Sequence, residues 1–285
     1  MDKKLKMTVL VDDKKNPQKT ELQAKHGLSF FIESEDKDRK INLLMDTGPS
    51  SKIILHNAKR MGLNLNKING ILLSHGHYDH VNGLLGVLNS IKKPIPVIVH
   101  PKAFDPKFSY KPYLKYSGPN FLITEIESTN GKLLLAKNHL KLIDNIISTG
   151  EVQRSTDFEK VKDFWKVENG LFIPDKMIDD QSLIINIEGK GLVIIAGCAH
   201  SGIINTIRQA QKLTKIRRIY AIIGGFHLKD EDVEKIDKTI KELGKINPNM
   251  IGPCHCTGSK AVSRFTEEFN GACKPLRVGD VLKLV

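Results

Sequence analysis

The sequence predicts an α/β protein built of stacked layers. Three observations support this: short apolar runs rich in β-branched residues, helix-periodic segments lying between them, and the return of the same alternation after an irregular middle. With 285 residues, 40% of them hydrophobic, the chain is long enough to close a full core as a single domain over 1–285.

In chain order, MTVLV (7–11), LSFFIE (28–33), INLLMD (41–46), GILLS (70–74) and PVIVH (96–100) read as strands bounded by turn or charged residues. Between them, SSKIILHNAKRMG (50–62) sets Ile53, Ile54, Asn57, Ala58 and Met61 on one helix face, with serines available to cap its start and Gly62 at its end. In the last third, SLIINIE (182–188) and GLVIIAG (191–197) form a hairpin pattern around Gly189 to Gly191. A helix (205–214), a strand (218–225), a strongly periodic helix (232–246) and the strand NMIGPC (249–254) follow.

Residues 101–180 differ in texture. They carry prolines, the aromatics Phe104, Phe108, Tyr110, Tyr113, Tyr116 and Phe121, and the loop-like SGPN, TGEVQRSTDFEK and FIPDKMIDDQ. Long irregular stretches within compact domains usually serve as lids or binding loops, so this segment is expected to be a substrate-covering insertion.

No run approaches the ~18 uninterrupted apolar residues of a membrane span, and the opening MDKKLKMTVLVDDKKNP has no long apolar stretch followed by a cleavage site. A cytoplasmic protein without membrane contact is expected. Cys198, Cys254, Cys256 and Cys273 are too few for a disulfide scaffold, so reduced thiols are expected. The formal net charge of +12 attracts anionic partners. Its lysines and arginines are nevertheless spread along the chain in short clusters, such as Lys37 to Lys40 and Lys215 to Arg218, without interleaved aromatics. That distribution points to a solvated basic surface and an anionic small-molecule substrate, not to nucleic acid. Oligomeric state is left open.

The chemistry is concentrated in LLSHGHYDHVNG (72–83). A strand ending at Ser74 delivers His75 and His77, two apart, toward one metal, while Asp79 and His80 reach a neighbouring position. Three more histidines follow strands and glycines: His200 in AGCAHSG, His227 in IIGGFHL and His255 in GPCHCTG. Strands that end on one edge of a sheet bring such residues together.

HGHYDH resembles the His-x-His-x-Asp-His signature of the metallo-β-lactamase superfamily, and Asp46 in LLMDTG matches that superfamily's first motif. The resemblance implies a four-layered αββα sandwich with a one- or two-metal site at one edge of its sheets. Within the superfamily, KHGLSFFIE, MDTG, STGEVQR, DDQSLIIN, GCAHSGIINT, GGFHL and PCHCTG resemble, in that order, the branch typified by the archaeal synthase that joins a dihydropterin to an aminobenzene riboside phosphate. Bacterial members of that branch occur in organisms that do not make methanopterin, so the branch does not fix the reaction.

The resemblance implies His75, His77, Asp79, His80, His200 and His255 as ligands of one or two divalent ions, zinc expected, with manganese, magnesium or iron as alternatives. Asp79 and His227 are the expected catalytic residues. Where hydrolases of the superfamily commonly carry Gly-Asp, with the Asp bridging two metals, this chain has Gly197-Cys198. Cys198 or His200 must stand in, or the second metal is bound loosely; His200 is the preferred ligand, with His100 and His139 assigned structural roles. Two uses of the metals stay open. One is activation of water against an ester, lactone or phosphodiester; the other is neutralisation of a diphosphate leaving group while an amine or electron-rich ring attacks a pterin methylene. For the anionic substrate, Arg154, Lys160 and the lysines of YKPYLKYSG are the expected cations, and Phe226 with the aromatics of 104–116 the expected stacking wall. A non-hydrolytic di-metal redox or ligand-binding role is the third reading; zinc without colour argues against it.

Overall fold

The computed structural model describes residues 4–36, 39–110 and 112–285. Met1 to Lys3, Lys37 of the first basic cluster and Lys111 of YKPYLKYSG lie outside the described residues.

The first half of the chain lays down one sheet and its helices. β1 (Lys4–Val11), β2 (Ser29–Asp36) and β3 (Arg39–Met45) form an antiparallel meander, and α1 (Ser51–Arg60) leads to the short β4 (Gly70–Leu72) beside β3. The four-residue α2 (Tyr78–Val81), then α3 (Leu84–Ser90), lead to β5 (Ile95–Val99), parallel to β4. As expected, α1 buries Ile54, Asn57 and Ala58. Asn57 is tolerated there because its amide donates to Leu10 O and Gln23 O and accepts from Gln23 N. Ser50 takes the N-cap position without a side-chain capping bond, and Gly62 turns the chain at a φ of 66°.

The middle is more structured than its sequence texture implies. β6 (Lys107–Ser109), β7 (Lys115–Tyr116), α4 (Ile123–Glu127), β8 (Gly131–Leu135), β9 (Lys141–Ile143), β10 (Ile146–Ser148), β11 (Phe164–Glu168) and β12 (Leu171–Pro174) all fall within 101–180. β8 extends the first sheet beyond β5, while β9 and β10 join the second sheet. The part that stands apart is a four-stranded sheet in the order β12-β11-β6-β7, drawn from residues 107–116 and 164–174. The strands here are two to five residues long, too short for hydrophobic periodicity to reveal them.

The last third follows the sequence reading closely. β13 (Ser182–Ile187) and β14 (Gly191–Ala196) form the hairpin, and α5 (Ile203–Thr214), β15 (Ile219–Gly224), α6 (Val233–Ile246) and β16 (Met250–Pro253) build parallel β14-β15-β16 pairing. α7 (Ser259–Glu268) then covers this sheet, and β17 (Val281–Lys283) returns to pair with β1. Among the described residues the sheets are seven-stranded, β17-β1-β2-β3-β4-β5-β8, and six-stranded, β16-β15-β14-β13-β10-β9.

Alternation along the strands sets the layers. Phe30, Ile32, Leu43 and Met45 of the first sheet meet Leu183, Ile185, Val193, Ile195 and Ile223 of the second in one core between the sheets. The intervening Phe31 and Leu44 pack outward against Ile54 and Ala58 of α1 and Val87 of α3. Ile194 and Ile222 likewise pack outward against α5 to α7. Burial of both faces accounts for the nearly continuous apolar runs. The architecture is the expected αββα sandwich. No helix among the described residues is long and apolar enough to cross a membrane.

Candidate metal centre

Strand direction places the site. β1 and β3 are both antiparallel to β2, so they run the same way, and β4 is parallel to β3. Asp12 and Asp13 after β1, Asp46 after β3 and His75 after β4 therefore leave at one edge. The parallel β14, β15 and β16 of the facing sheet deliver Cys198 and His200, His227, and His255. Asp46, Ala199, His227 and His255 all have positive φ, between 46° and 59°, a conformation that non-glycine residues seldom hold. Such strain concentrates at functional sites.

A buried carboxylate organises the first ligands. Asp46 Oδ1 accepts from Ser74 N, and its Oδ2 accepts from Ser74 Oγ and from His80 Nδ1, each at 2.7 Å. Because the Ser74 hydroxyl proton points at Asp46, Ser74 Oγ accepts from His75 Nδ1 at 2.9 Å. His255 Nδ1 donates to Asp13 Oδ1 at 2.7 Å, and Asp12 Oδ2 accepts from His255 N. The Nδ1 of each of His75, His80 and His255 is thereby engaged by an oxygen, which leaves Nε2 as the ring nitrogen turned to the interior.

These candidate donor atoms meet in two groups. His75 Nε2 lies 3.1 Å from His77 Nδ1 and 3.2 Å from His200 Nε2. His80 Nε2 lies 3.2 Å from His255 Nε2 and 3.1 Å from Cys198 Sγ, and Asp79 Oδ2 is 3.3 Å from His255 Nε2 and 3.7 Å from His80 Nε2. Nitrogens facing each other at such distances need a proton or a metal cation between them. The other ring nitrogens, the buried His77 Nε2 and His200 Nδ1, have no hydrogen-bond partner, so among the described residues each ring is hydrogen-bonded only through its contact with His75. Burial pushes the His77 ring down to about 3 and those of His75 and His200 well below the ordinary histidine range, leaving neutral imidazoles ready to ligate. Burial opposes charge on His80 as well, but Asp46 and Asp79 outweigh it and hold that ring above its ordinary value. The donor set fits one or two divalent metals, with imidazoles on one side and carboxylate, imidazole and sulfur on the other. His200 supplies the third imidazole of the first group. Cys198 is shared, adjoining His75 and His80, His200 and His227, and His255 and Cys256.

The ligands open into a cavity of about 500 Å³. His26, Tyr78 and Phe164 form part of its wall, and the Phe164 ring sits 4.9 Å from that of His77 and 5.0 Å from that of His200. His227 lines it beside His200, ring centroids 4.2 Å apart, with its Nδ1 unpartnered. Lys115, Lys162 and Lys229 line it too, together with Asp163, Asp230, Glu231 and Asp232.

Arg154, Lys160 and Phe226, and with them the expected aromatics Phe104, Phe108, Tyr110, Tyr113 and Tyr116, are not on this wall. Arg154 turns its guanidinium onto the carbonyls of Lys176 and Met177. Lys160 is exposed, its carbonyl accepting from Lys235 Nζ at 3.4 Å. Phe226, 2% exposed, packs in the outer core with Phe265. Of the expected mid-chain cations Lys115 lines the wall; Phe164, Lys162, Lys229 and His26, which the sequence reading does not single out, line it as well, and Asp13 holds His255 from behind. The signal for Asp13 was present, since VLVDD ends a strand in carboxylates as LLMD does. His100 and His139 lie apart from the ligands: His100 is buried against Glu151, and His139 is exposed.

Comparison with known proteins agrees with this geometry. The family model described as the metallo-beta-lactamase superfamily matches residues 23–167. The 7,8-dihydropterin-6-methyl-4-(beta-D-ribofuranosyl)-aminobenzene-5'-phosphate synthase of Methanocaldococcus jannaschii is 38% identical over 266 residues, 91% of this chain and 90% of that protein. A solved metal-dependent hydrolase of the beta-lactamase superfamily superposes with a TM-score of 0.80 at 28% identity, covering 98% of both chains. A diphosphatase of the PhnP family shares the fold at 12% identity and a TM-score of 0.52, covering 98% of this chain and 97% of the other. On the extent of the family match and the identity to the synthase, the chain belongs to the metallo-beta-lactamase superfamily and is a metalloenzyme of that fold.

Proposed function

We propose that the chain binds two divalent ions, zinc by preference, and condenses a dihydropterin carrying a diphosphate leaving group with an aminobenzene riboside phosphate. The observation that carries this reading is the 38% identity to the synthase across 91% of this chain, combined with a ligand-lined cavity of about 500 Å³. That volume suits two small substrates side by side.

The bound metals would supply Lewis-acid neutralisation of the diphosphate. Around them, Phe164 and Tyr78 offer aromatic faces to the pterin ring, and Lys115, Lys162 and Lys229 reach phosphate oxygens. Because the same wall carries Asp163, Asp230, Glu231 and Asp232, the lysines alone do not make the cavity cationic. The carboxylates suit the amino groups and hydroxyls of such substrates. In the reaction the carbon–oxygen bond at the pterin methylene breaks, diphosphate leaves with the electron pair, and the incoming amine or ring loses one proton. Asp79 and the half-buried His227, both on the cavity wall, would accept that proton.

Hydrolysis of an ester or phosphodiester is the second reading, favoured by the likeness to the metal-dependent hydrolase at a TM-score of 0.80. The two separate in a turnover screen of metal-reconstituted protein. The panel is dihydropterin diphosphate with aminobenzene riboside phosphate, phosphodiesters, thioesters, lactones and β-lactams. Condensation of the first pair supports the proposal. Cleavage of a phosphodiester or ester without condensation selects the hydrolase, and activity confined to neutral lactones or β-lactams contradicts the phosphate preference itself.

A further inference from the structure

Two sulfur atoms meet beneath the cavity in a space made by one glycine. A Cβ on Gly225 would lie 2.6 Å from Cys256 Sγ, 2.6 Å from Gly197 O and 3.3 Å from Cys198 Cα. The bare backbone of Gly225 therefore lets the turn after β14, carrying Cys198, and the turn after β16, carrying Cys256, close on each other. Cys198 Sγ, Cys256 Sγ and a ring nitrogen of His255 lie within 4.8 Å of one another, and Cys256 Sγ is 3.7 Å from Cys198 O. Both cysteines line the cavity, which a small solute can enter. Cys254 and Cys273 do not. Cys254 packs in the core between the sheets, and Cys273 packs in the outer core, where it meets Thr266.

We propose that Cys198 and Cys256 are a redox modification site, a dithiol that a peroxide entering the cavity converts to a disulfide. Peroxide oxygen transfers to one sulfur, giving a sulfenic acid and one water. The other sulfur then attacks it, the S–S bond forms, the S–O bond breaks, and a second water leaves. In sum two thiols lose two electrons and two protons, and one peroxide becomes two waters. All four cysteines are free in this structure, which is the reduced form. Sulfurs within 4.8 Å have less than ~3 Å to close before they reach the ~2.05 Å of a disulfide bond. Because Cys198 adjoins both donor groups, the bond would draw a shared donor away from the metal positions. The disulfide itself does not depend on which substrate the enzyme takes.

The test is hydrogen peroxide added in stoichiometric amount to the metal-free full-length protein, read by intact mass and peptide mapping. The expected result is loss of two hydrogens, a single cross-link between the peptides carrying Cys198 and Cys256, and full reversal by dithiothreitol. Cys254→Ser and Cys273→Ser should form the same link, and zinc loaded beforehand should slow it. Zinc affinity should fall in the oxidised protein and return on reduction. A link through Cys254 or Cys273, separate oxidation of the two sulfurs to sulfinic acids, or no reaction while both remain alkylatable would overturn the proposal. Because the primary reading uses the unaltered chain, it does not depend on any variant folding.

Discussion

Asp46 Oδ2 accepts the Nδ1 proton of His80 at 2.7 Å, with both side chains almost wholly removed from solvent. The bond joins the end of β3 to α2 and fixes which nitrogen of His80 faces the ligand cluster. Removal of a carboxylate that orients a ligand histidine typically costs ~10–100-fold in metal affinity. Asp46→Asn, which suits the φ of 59° at this position, should therefore weaken metal binding by about that factor without unfolding the chain. Chelator competition measures it, and unchanged affinity would contradict the assigned role.

A buried triad ties the small four-stranded sheet to the ligand loop. Lys107 Nζ donates to Asp175 at 2.8 Å and to Asp179 at 3.0 Å, and the other oxygen of Asp179 accepts from Gly76 N, between His75 and His77. Lys107→Met leaves two buried carboxylates without their cation and should destabilise the fold by roughly 3–5 kcal/mol, read as a lower urea midpoint.

The same triad sets a pH window. Burial opposes the charge on Asp175, but Lys107 outweighs it and holds this carboxyl below the usual range. A depressed folded pKa contributes stability that is present above the unfolded carboxylate range and is lost as pH falls through the folded value. Burial likewise opposes the charge on Lys107, while Asp179 and Asp175 raise it. Its contribution is present below the ordinary lysine range and is lost as pH rises past the folded value. Urea midpoints across pH should therefore fall at both extremes in the wild type. The acid-side loss should be smaller in Lys107→Met, where Asp175 has no cation to keep it ionised.

Gly76 has no room for a side chain: a Cβ there would sit 1.8 Å from Ala103 O. Gly76→Ala must move the loop between His75 and His77 or the turn at Ala103. It should reduce metal content while circular dichroism stays close to wild type. Full metal occupancy in that variant would show that the loop tolerates displacement.

Substrate contacts separate by position. Lys162→Ala should raise KM for a phosphate-bearing substrate about tenfold or more, since a charge-assisted hydrogen bond is worth roughly 1.5–3 kcal/mol. Arg154→Ala should leave KM unchanged, because its guanidinium is held by Lys176 O and Met177 O away from the cavity. The reverse pattern would restore Arg154 as a substrate residue.

What could be read from the sequence divides along physical lines. Strands buried on both faces, such as β14 and β15, announce themselves as apolar runs, and the glycine-then-histidine endings of three of them point to one edge. The short strands of 107–116 and 164–174 give no such signal, because two to five residues carry too little periodicity. Nothing in the sequence therefore connects Phe164, at the start of β11, with the ligands. Charge misled for a different reason. Arg154 and Lys160 lie in a suitable segment, but where a long cationic side chain ends is decided by local carbonyls and solvent, which sequence does not display. Cys198 could be read as a replacement for an aspartate, whereas its approach to Cys256 depends on Gly225 and emerges only in three dimensions.

The central claim is that His75, His77 and His200 form one metal position and Asp79, His80 and His255 its neighbour. Elemental analysis of purified, zinc-reconstituted protein tests it directly when run beside His77→Ala and His255→Ala. Two tightly bound equivalents in the wild type, and loss of at least one in each variant, is the predicted result. Retention of the full wild-type metal content by His77→Ala would contradict the account.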